Sequence, residues 1–330
     1  MFIPILLLLV GFAILIKGAD FLVNGASSAA KKYGISNLAI GLTVVAFGTS
    51  MPELIVSLVS ALDGKNDASF GNVIGSNNFN LLFILGIAGL IYPLMVQRNT
   101  VKYEVPLSFL AAAVLFLLVN DTLLWGTPAD ATTGYQGLLS RFDSVILLLF
   151  FGLFIFYIYR TMRTTSDLEE GEPIKLYSTP VATGMVILGL AMLVGGGELV
   201  VDNAIEIARG YGLSEKLIGL TILAAGTSLP ELATSCVAAY RKNTDIAIGN
   251  VIGSNIFNIF FILGITGVVH PIQYNVAMNS DIYVLLGSTV LLMVFMFTLG
   301  HRKLDRWEAF LMLVLYIAYT VYLVTTDTVA

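Results

Sequence analysis

The sequence predicts an all-α polytopic membrane protein, with ten transmembrane helices in two inverted five-helix repeats and a break in the second helix of each. Three observations lead there. Hydrophobic residues make up 57% of the 330 and charged residues only 12%, about half the charged share of a soluble globular chain. Apolar runs of roughly 18–25 residues recur, each long enough to cross a hydrocarbon layer of about 30 Å as a helix. The chain also repeats itself at an offset of 178 residues. A β-barrel would alternate apolar and polar residues in segments of about ten, and runs such as Val145–Tyr159 do not alternate.

Taken in order, the spans fall at 3–24, 37–61, 69–92, 104–119, 143–160, 180–202, 215–239, 246–269, 282–299 and 307–325. Met1-Phe2-Ile3-Pro4 carries no basic residue ahead of the first apolar run, so the first span is expected to stay as a helix rather than be cleaved as a signal peptide. Most connections are short and hold the turn residues and charges. Two are longer. The stretch 120–142 contains Gly126-Thr127-Pro128 and has no legible repeat counterpart. The stretch 161–178 contains the acidic run Ser166-Asp167-Leu168-Glu169-Glu170-Gly171-Glu172-Pro173 and reads as a hydrated linker. It divides a first repeat at 1–160 from a second at 179–330.

Loop charges set the orientation. One set of alternate connections carries Lys31, Lys32, Arg98, Lys102, Arg160, Arg163, Lys175, Arg241, Lys242, Arg302, Lys303 and Arg306, whereas the other carries Lys65, Arg141, Arg209 and Lys216. The richer set belongs in the cytoplasm, which puts the linker there too. With ten spans, both termini are then expected outside, in the plasma (inner) membrane of a prokaryote.

The repeat holds without a gap from Gly11 and Gly189 to Pro93 and Pro271. It pairs Glu53 with Glu231, and Gly71-Asn72-Val73-Ile74-Gly75-Ser76-Asn77 with Gly249-Asn250-Val251-Ile252-Gly253-Ser254-Asn255. Each half holds five spans. Five is odd, so the second half enters the membrane from the opposite side, an architecture shared by many secondary transporters.

The chemistry lies in the second and third spans of each half. Ala46-Phe47-Gly48-Thr49-Ser50-Met51-Pro52-Glu53 and Ala224-Ala225-Gly226-Thr227-Ser228-Leu229-Pro230-Glu231 each set a carboxylate, two hydroxyls, a glycine and a proline inside an apolar run. Proline removes a backbone donor and glycine tolerates an unwound chain. A broken helix is expected, with the carbonyls around Ala46 to Thr49 freed from helical bonds and the same device repeated around Ala224 to Thr227. In the third spans, Ser76 and Asn80, like Ser254 and Asn258, lie four apart and share a helix face. A proline–glycine pair in one membrane helix is an ordinary kink, and membrane hydroxyls often bond their own backbone or a neighbouring helix. The whole set duplicated at one offset points instead to one site built from two halves.

Carboxylate, hydroxyl, amide and carbonyl oxygens suit hard cations such as Ca²⁺. With His270 and His301 near span ends and Cys236 alone, zinc and copper chemistry is not expected, nor is a disulfide. No Ser-His, His-Glu-x-x-His or paired-aspartate arrangement marks an enzyme. Gly71 and Gly75 have the spacing of close helix packing rather than of a phosphate loop. Lys17 and Asp20, three apart in the first span and not duplicated by the repeat, are expected either to pair on one face or to snorkel towards the interface.

At these residues the chain resembles the cation/calcium exchanger superfamily, in particular the prokaryotic sodium/calcium exchangers. The resemblance rests on Gly-Thr-Ser-Met-Pro-Glu at 48–53, Gly-Thr-Ser-Leu-Pro-Glu at 226–231, and Gly-Asn-Val-Ile-Gly-Ser-Asn at 71–77 and 249–255. It implies antiport of Ca²⁺ against Na⁺, with both ions binding Glu53 and Glu231 and with Thr49 and Thr227 giving oxygens to calcium. Ala46, Ser50 and Ser76 would flank one side with a sodium position, and Ala224, Ser228 and Ser254 the other. Asn80 and Asn258 would complete the centre, where relatives often have one aspartate. The first and sixth spans would slide as a gate. The implied partners are Ca²⁺, Na⁺ and the bilayer, with no cofactor, no nucleic acid and no required protein partner, so that a monomer suffices. Ca²⁺/H⁺ antiport, K⁺-dependent Na⁺/Ca²⁺ exchange and a passive cation channel stay open as alternatives.

Overall fold

The computed structural model describes residues 2–120, 136–162, 175–211, 224–298 and 302–327. In the first half, α1 (Phe2–Tyr33) leads to a bent pair, α2a (Asn37–Thr49) and α2b (Met51–Leu62), and then to α3 (Asn66–Ile91), α4 (Thr100–Val119) and α5 (Arg141–Thr161). The second half has α6 (Thr179–Gly210), a turn at Ala224–Gly226, α7 (Leu229–Tyr240), α8 (Thr244–Val269), α9 (Val276–Phe295) and α10 (Arg306–Asp327). Among the described residues, eight helices are long and apolar enough to cross a membrane, or nine with the bent pair taken as one span. The expected span at 215–239 is described only from Ala224. Residues 121–135, most of the 161–178 linker and His301 lie outside the described residues.

The sequence repeat is reproduced in backbone. Shifted by 178, α2b falls on α7 and the start of α3 on that of α8. The turn between them repeats as well: Gly64 (φ 73°) corresponds to Lys242 (φ 58°), both left-handed.

α1 and α6 pack along one face of small residues. A Cβ on Gly11, Gly18 or Gly25 would meet the carbonyl oxygen of Gly196, Gly189 or Ala182 at 3.1, 2.9 or 2.8 Å. As the position rises in one helix it falls in the other, so the two run antiparallel. Packing also explains the length of α1, which hydropathy ended near residue 24. Gly25, Ala26, Ser27, Ser28 and Ala30 are too small or polar to extend an apolar run, yet all are buried. Lys31 and Lys32 then close the helix, where cations suit its negative end.

The most buried helices are α3 and α8. The best apolar window of each is 72% and 83% buried, against 17–39% for the other unbroken spans. α8 crosses α2a at glycines: a Cβ on Gly249 would lie 3.0 Å from the Leu38 carbonyl, and one on Gly253 2.8 Å from the Ala46 Cβ.

Strands add to the helical expectation. β1 (Leu94–Met95) pairs antiparallel with β4 (Lys303–Leu304), and β2 (Gly137–Leu139) with β3 (Ile272–Tyr274). Each pair clips the connection after the third helix of one half to the connection before the last helix of the other. Within the stretch 120–142, β2 thus occupies the place that β4 has in the second half. Between the fourth and fifth helices of each half runs a tyrosine–carboxylate bond, from Tyr157 to Glu104 and from Tyr319 to Asp281, both 2.5 Å.

The expected Lys17–Asp20 pair is replaced. Arg241, just past α7, donates through Nε to Asp20 Oδ1 at 2.9 Å and makes a second contact through its Nη2. A guanidinium satisfies the carboxylate with two donors, which an ammonium one turn away on the same helix does not match.

The α1–α6 face yields a stability prediction. In Gly189→Val, the new Cβ would sit 2.7 Å from the Leu22 nitrogen and 2.8 Å from the Gly18 carbonyl. Backbone on both sides leaves no side chain to yield, so overpacking should cost about 1–3 kcal/mol. The melting temperature of the purified protein in detergent should fall accordingly. Gly184→Val, on the same helix but with nothing within 4 Å of the new Cβ, should leave it unchanged.

Candidate cation site

The two carboxylates paired by the repeat end at the centre of the bundle. Ser50 (φ −85°, ψ 7°) ends α2a, and Ser228 (φ −90°, ψ 7°) precedes α7 with nearly the same backbone. The axis bends by 46° between α2a and α2b. Pro52 and Pro230 occupy the first turn after each break, where a missing N–H costs no helical bond. Glycine just before it lets α6 approach closely. A Cβ on Gly48 would lie 2.5 Å from Leu190 of α6, and one on Gly226 2.6 Å from Val201. Of the carbonyls from Ala46 to Thr49, that of Ala46 keeps a helical bond, accepting from Ser50 N at 3.0 Å. Ala224 opens the turn before α7.

Glu53 and Glu231 are fully buried. Ser228 Oγ donates to Glu53 Oε1 at 3.1 Å and stands 3.0 Å from Ser76 Oγ. Ser50 Oγ donates to Glu231 Oε1 at 2.8 Å and stands 2.9 Å from Ser254 Oγ. These hydrogen bonds pair the serines across the repeat, where the resemblance set Ser50 with Ser76 and Ser228 with Ser254. Ser76 belongs with Ser228 and Glu53, and Ser254 with Ser50 and Glu231, so each flanking cluster draws on both halves. The physical reason is that each third helix passes the break of the opposite half, as Gly253 on Ala46 shows.

Asn72 and Asn250, quoted in the motif but given no role, brace the breaks. Asn250 Nδ2 donates to the Glu231 carbonyl at 3.3 Å and to Ser235 Oγ at 3.0 Å, and its Oδ1 accepts from Thr49 at 3.1 Å. Asn72 mirrors it on the Glu53 carbonyl (3.1 Å), Ser57 (2.8 Å) and Thr227 (3.3 Å). Thr49 and Thr227 are therefore held by asparagines across the repeat. Ser57 and Ser235 repeat at the offset too, a signal available in the sequence.

At the centre, Asn80 Nδ2 donates to Asn255 Oδ1 at 3.0 Å and Asn258 Nδ2 to Asn77 Oδ1 at 2.9 Å. Asn77 and Asn255 also donate to each other's backbone carbonyls at 3.2 Å. These bonds use the outward amide donors and fix the remaining oxygens. Asn80 Oδ1 and Asn258 Oδ1 are left without a hydrogen-bond partner, as are Glu53 Oε2 and Glu231 Oε2, all four buried. Asn80 and Asn258 themselves lie in π-helical turns, Phe79–Ile84 and Phe257–Leu263, a feature frequent at functional sites. Among the described residues no cation pairs with either glutamate. They also hold no group of three or more His, Cys, Asp or Glu, so any ligand here binds through two carboxylates and neutral oxygens.

The sequence profile described as "Sodium/calcium exchanger protein" matches residues 3–160 and 181–325. The chain belongs to the sodium/calcium exchanger family. It is 31% identical over 355 residues to the sodium/calcium exchanger MaX1 of Methanosarcina acetivorans, covering 96% of this chain and 97% of that one. It is 37% identical over 273 residues to the inner membrane protein YrbG of Escherichia coli, covering 80% and 79%. Its structure is similar to that of the sodium–calcium exchanger NCX_Mj soaked with 2.5 mM Na⁺ and 0.1 mM Ca²⁺, with TM-score 0.78 and 32% identity over 96% of this chain and 97% of that one. The protein is a multi-pass membrane antiporter of the cation/Ca²⁺ class, in a family of transporters rather than enzymes.

The asparagine braces make a prediction. Asn72→Ala or Asn250→Ala leaves a glutamate carbonyl, a serine and a threonine without their shared partner. Supports behind a metal site typically contribute about 10–100-fold to affinity. Each variant should raise the Ca²⁺ concentration for half-maximal exchange in that range, measured as ⁴⁵Ca²⁺ flux in proteoliposomes.

Proposed function

We propose that the protein is an electrogenic Na⁺/Ca²⁺ exchanger that extrudes Ca²⁺ by alternating access. The observation that carries this reading is the set of four buried, unpartnered oxygens, Glu53 Oε2, Glu231 Oε2, Asn80 Oδ1 and Asn258 Oδ1. Buried acceptors without donors are costly, and a hard cation satisfies all four at once. Thr49 and Thr227 would add oxygens to the centre, the Ala46 carbonyl would add to one flank the lone pair that its bond from Ser50 N leaves and the Ala224 carbonyl would serve the other, and Ser50 with Ser254 and Ser228 with Ser76 are the two sodium positions.

Two carboxylates neutralise one Ca²⁺. Three Na⁺ in the same oxygens leave one excess positive charge, so a three-for-one exchange moves net charge and feels about 2.3 kcal/mol per charge per 100 mV. Both ions need Glu53 and Glu231, so one must leave before the other binds. That competition produces exchange rather than co-transport. Between ions, the site keeps two uncompensated charges and moves poorly.

The architecture that supports this is two inverted five-helix repeats, 1–160 and 179–330, joined by the linker at 161–178. The antiparallel run of α6 along α1 is what inversion requires of the two first helices. The orientation follows from the loop charges: linker and basic loops in the cytoplasm, both termini outside, in a prokaryotic plasma membrane. The chain works as a monomer with no cofactor.

Glu53→Gln and Glu231→Gln should each abolish ⁴⁵Ca²⁺ uptake into Na⁺-loaded proteoliposomes, and full activity in either would sink the site assignment. The same vesicles, with Na⁺, K⁺ and pH gradients imposed one at a time, should show uphill Ca²⁺ movement driven by Na⁺ alone. Uptake driven only by a pH gradient would make the protein a Ca²⁺/H⁺ antiporter, a K⁺ requirement would make it K⁺-dependent, and absence of uphill movement would make it a channel.

A further inference from the structure

A cavity of about 470 Å³ lies well away from the cation site, lined by Arg98, Val101, Lys102, Phe297 and Arg302. It sits where α4 begins and α9 ends, at the level of the β1–β4 clip. The clip builds it. Val96 N donates to the Arg302 carbonyl at 2.8 Å and Arg302 N to the Met296 carbonyl at 2.7 Å. Arg302 is thereby held at φ 65°, a left-handed conformation unfavourable for any residue with a Cβ. The strand pair thus keeps Arg302 in place against Arg98 and Lys102.

These cations lack counter-charges. Lys303 on the same strand is neutralised by Asp305 at 2.7 Å. Among the described residues, no carboxylate pairs with Arg98, Lys102 or Arg302. The rest of the lining is apolar. Phe297 is 64% exposed and Tyr103, beside Lys102, 44%, which suits the edge of a bilayer. The feature is not duplicated by the repeat: the offset carries Arg98 to Val276 and Lys102 to Ser280.

We propose that this cavity binds the phosphate headgroup of an anionic phospholipid. The three cations hold the phosphate, and Val101 and Phe297 lie against the start of the acyl chains. A basic pocket between membrane helices at headgroup depth recognises such lipids by charge and by adjoining apolar wall together, whereas a soluble anion would gain nothing from the apolar wall. The leaflet is the cytoplasmic one in the orientation proposed above. The site stands on its own, whichever ion drives exchange.

The test is native mass spectrometry of the purified protein titrated with phosphatidylglycerol or with phosphatidylcholine of the same chains. The unmodified protein should retain phosphatidylglycerol in excess. A triple variant, Arg98→Gln with Lys102→Gln and Arg302→Gln, should lose that preference by about tenfold or more, since each basic residue near an anionic surface contributes to binding. Arg302→Gly guards against misfolding, because glycine accepts the left-handed backbone. It should weaken the preference while melting no lower than the parent. Lys31→Gln with Lys32→Gln removes other cations from the same end and should leave the preference intact. Equal retention by the triple variant would overturn the proposal, as would an equal loss in the Lys31/Lys32 variant. Displacement of the lipid by millimolar inorganic phosphate would overturn it in favour of a soluble anion.

Discussion

Two carboxylates in the middle of an apolar bundle, with no protein cation to meet them among the described residues, are the constraint on which the rest of the structure depends. A charge removed from water must be compensated by dipoles, by hydrogen bonds or by a counter-ion. Here the protein supplies part of that compensation. Ser228 and Ser50 each donate to one oxygen of Glu53 and Glu231, and the second oxygen of each stays open. Incomplete satisfaction would be a defect in a core that had only to be stable. In the exchange proposed above it would be the affinity for cargo, because a bound ion would complete what the protein leaves undone.

The surrounding architecture serves to aim neutral oxygens. Asparagine can donate and accept at once, and the structure uses both ends. Asn72 and Asn250 spend their donors on the broken second helices and their acceptors on the threonines. Asn77 and Asn255 tie α3 to α8 across the pseudo-symmetry and thereby orient Asn80 and Asn258. This lattice requires close helix approach, which explains glycine at 249 and 253. Along α1 and α6 the glycines serve a different purpose, producing a smooth contact between two long helices rather than an interlocked one.

Departures from the repeat are as informative as the repeat. Asp20 is held by Arg241, whereas the offset places Glu198 opposite Asp63, two acids that cannot pair, and Asp63 bonds Lys65 instead. The cationic cavity at Arg302 is likewise outside the repeat. The candidate site has two nearly equivalent halves, and the differences between the two ends of the molecule lie in these peripheral charges, away from its buried oxygens.

Much of this was legible in the sequence because a charged residue in an apolar run is visible without coordinates, and because a gap-free offset ties each residue to its counterpart. Glu53, Glu231, the serines, Thr49, Thr227, Asn80 and Asn258 all carry that signal, and the breaks at Ser50 and Ser228 follow from neighbouring glycine and proline. What tertiary structure decided is which residues meet. Hydropathy could not see that buried small residues extend α1 to Tyr33, nor that two strand clips join distant loops. It also could not assign Asp20 to Arg241, 221 positions away, over Lys17 on the same helix. The pairing of Ser76 with Ser228, and of Ser254 with Ser50, depends on helices of opposite halves crossing. A one-dimensional repeat records equivalence between positions, whereas contact between them is set by packing in space.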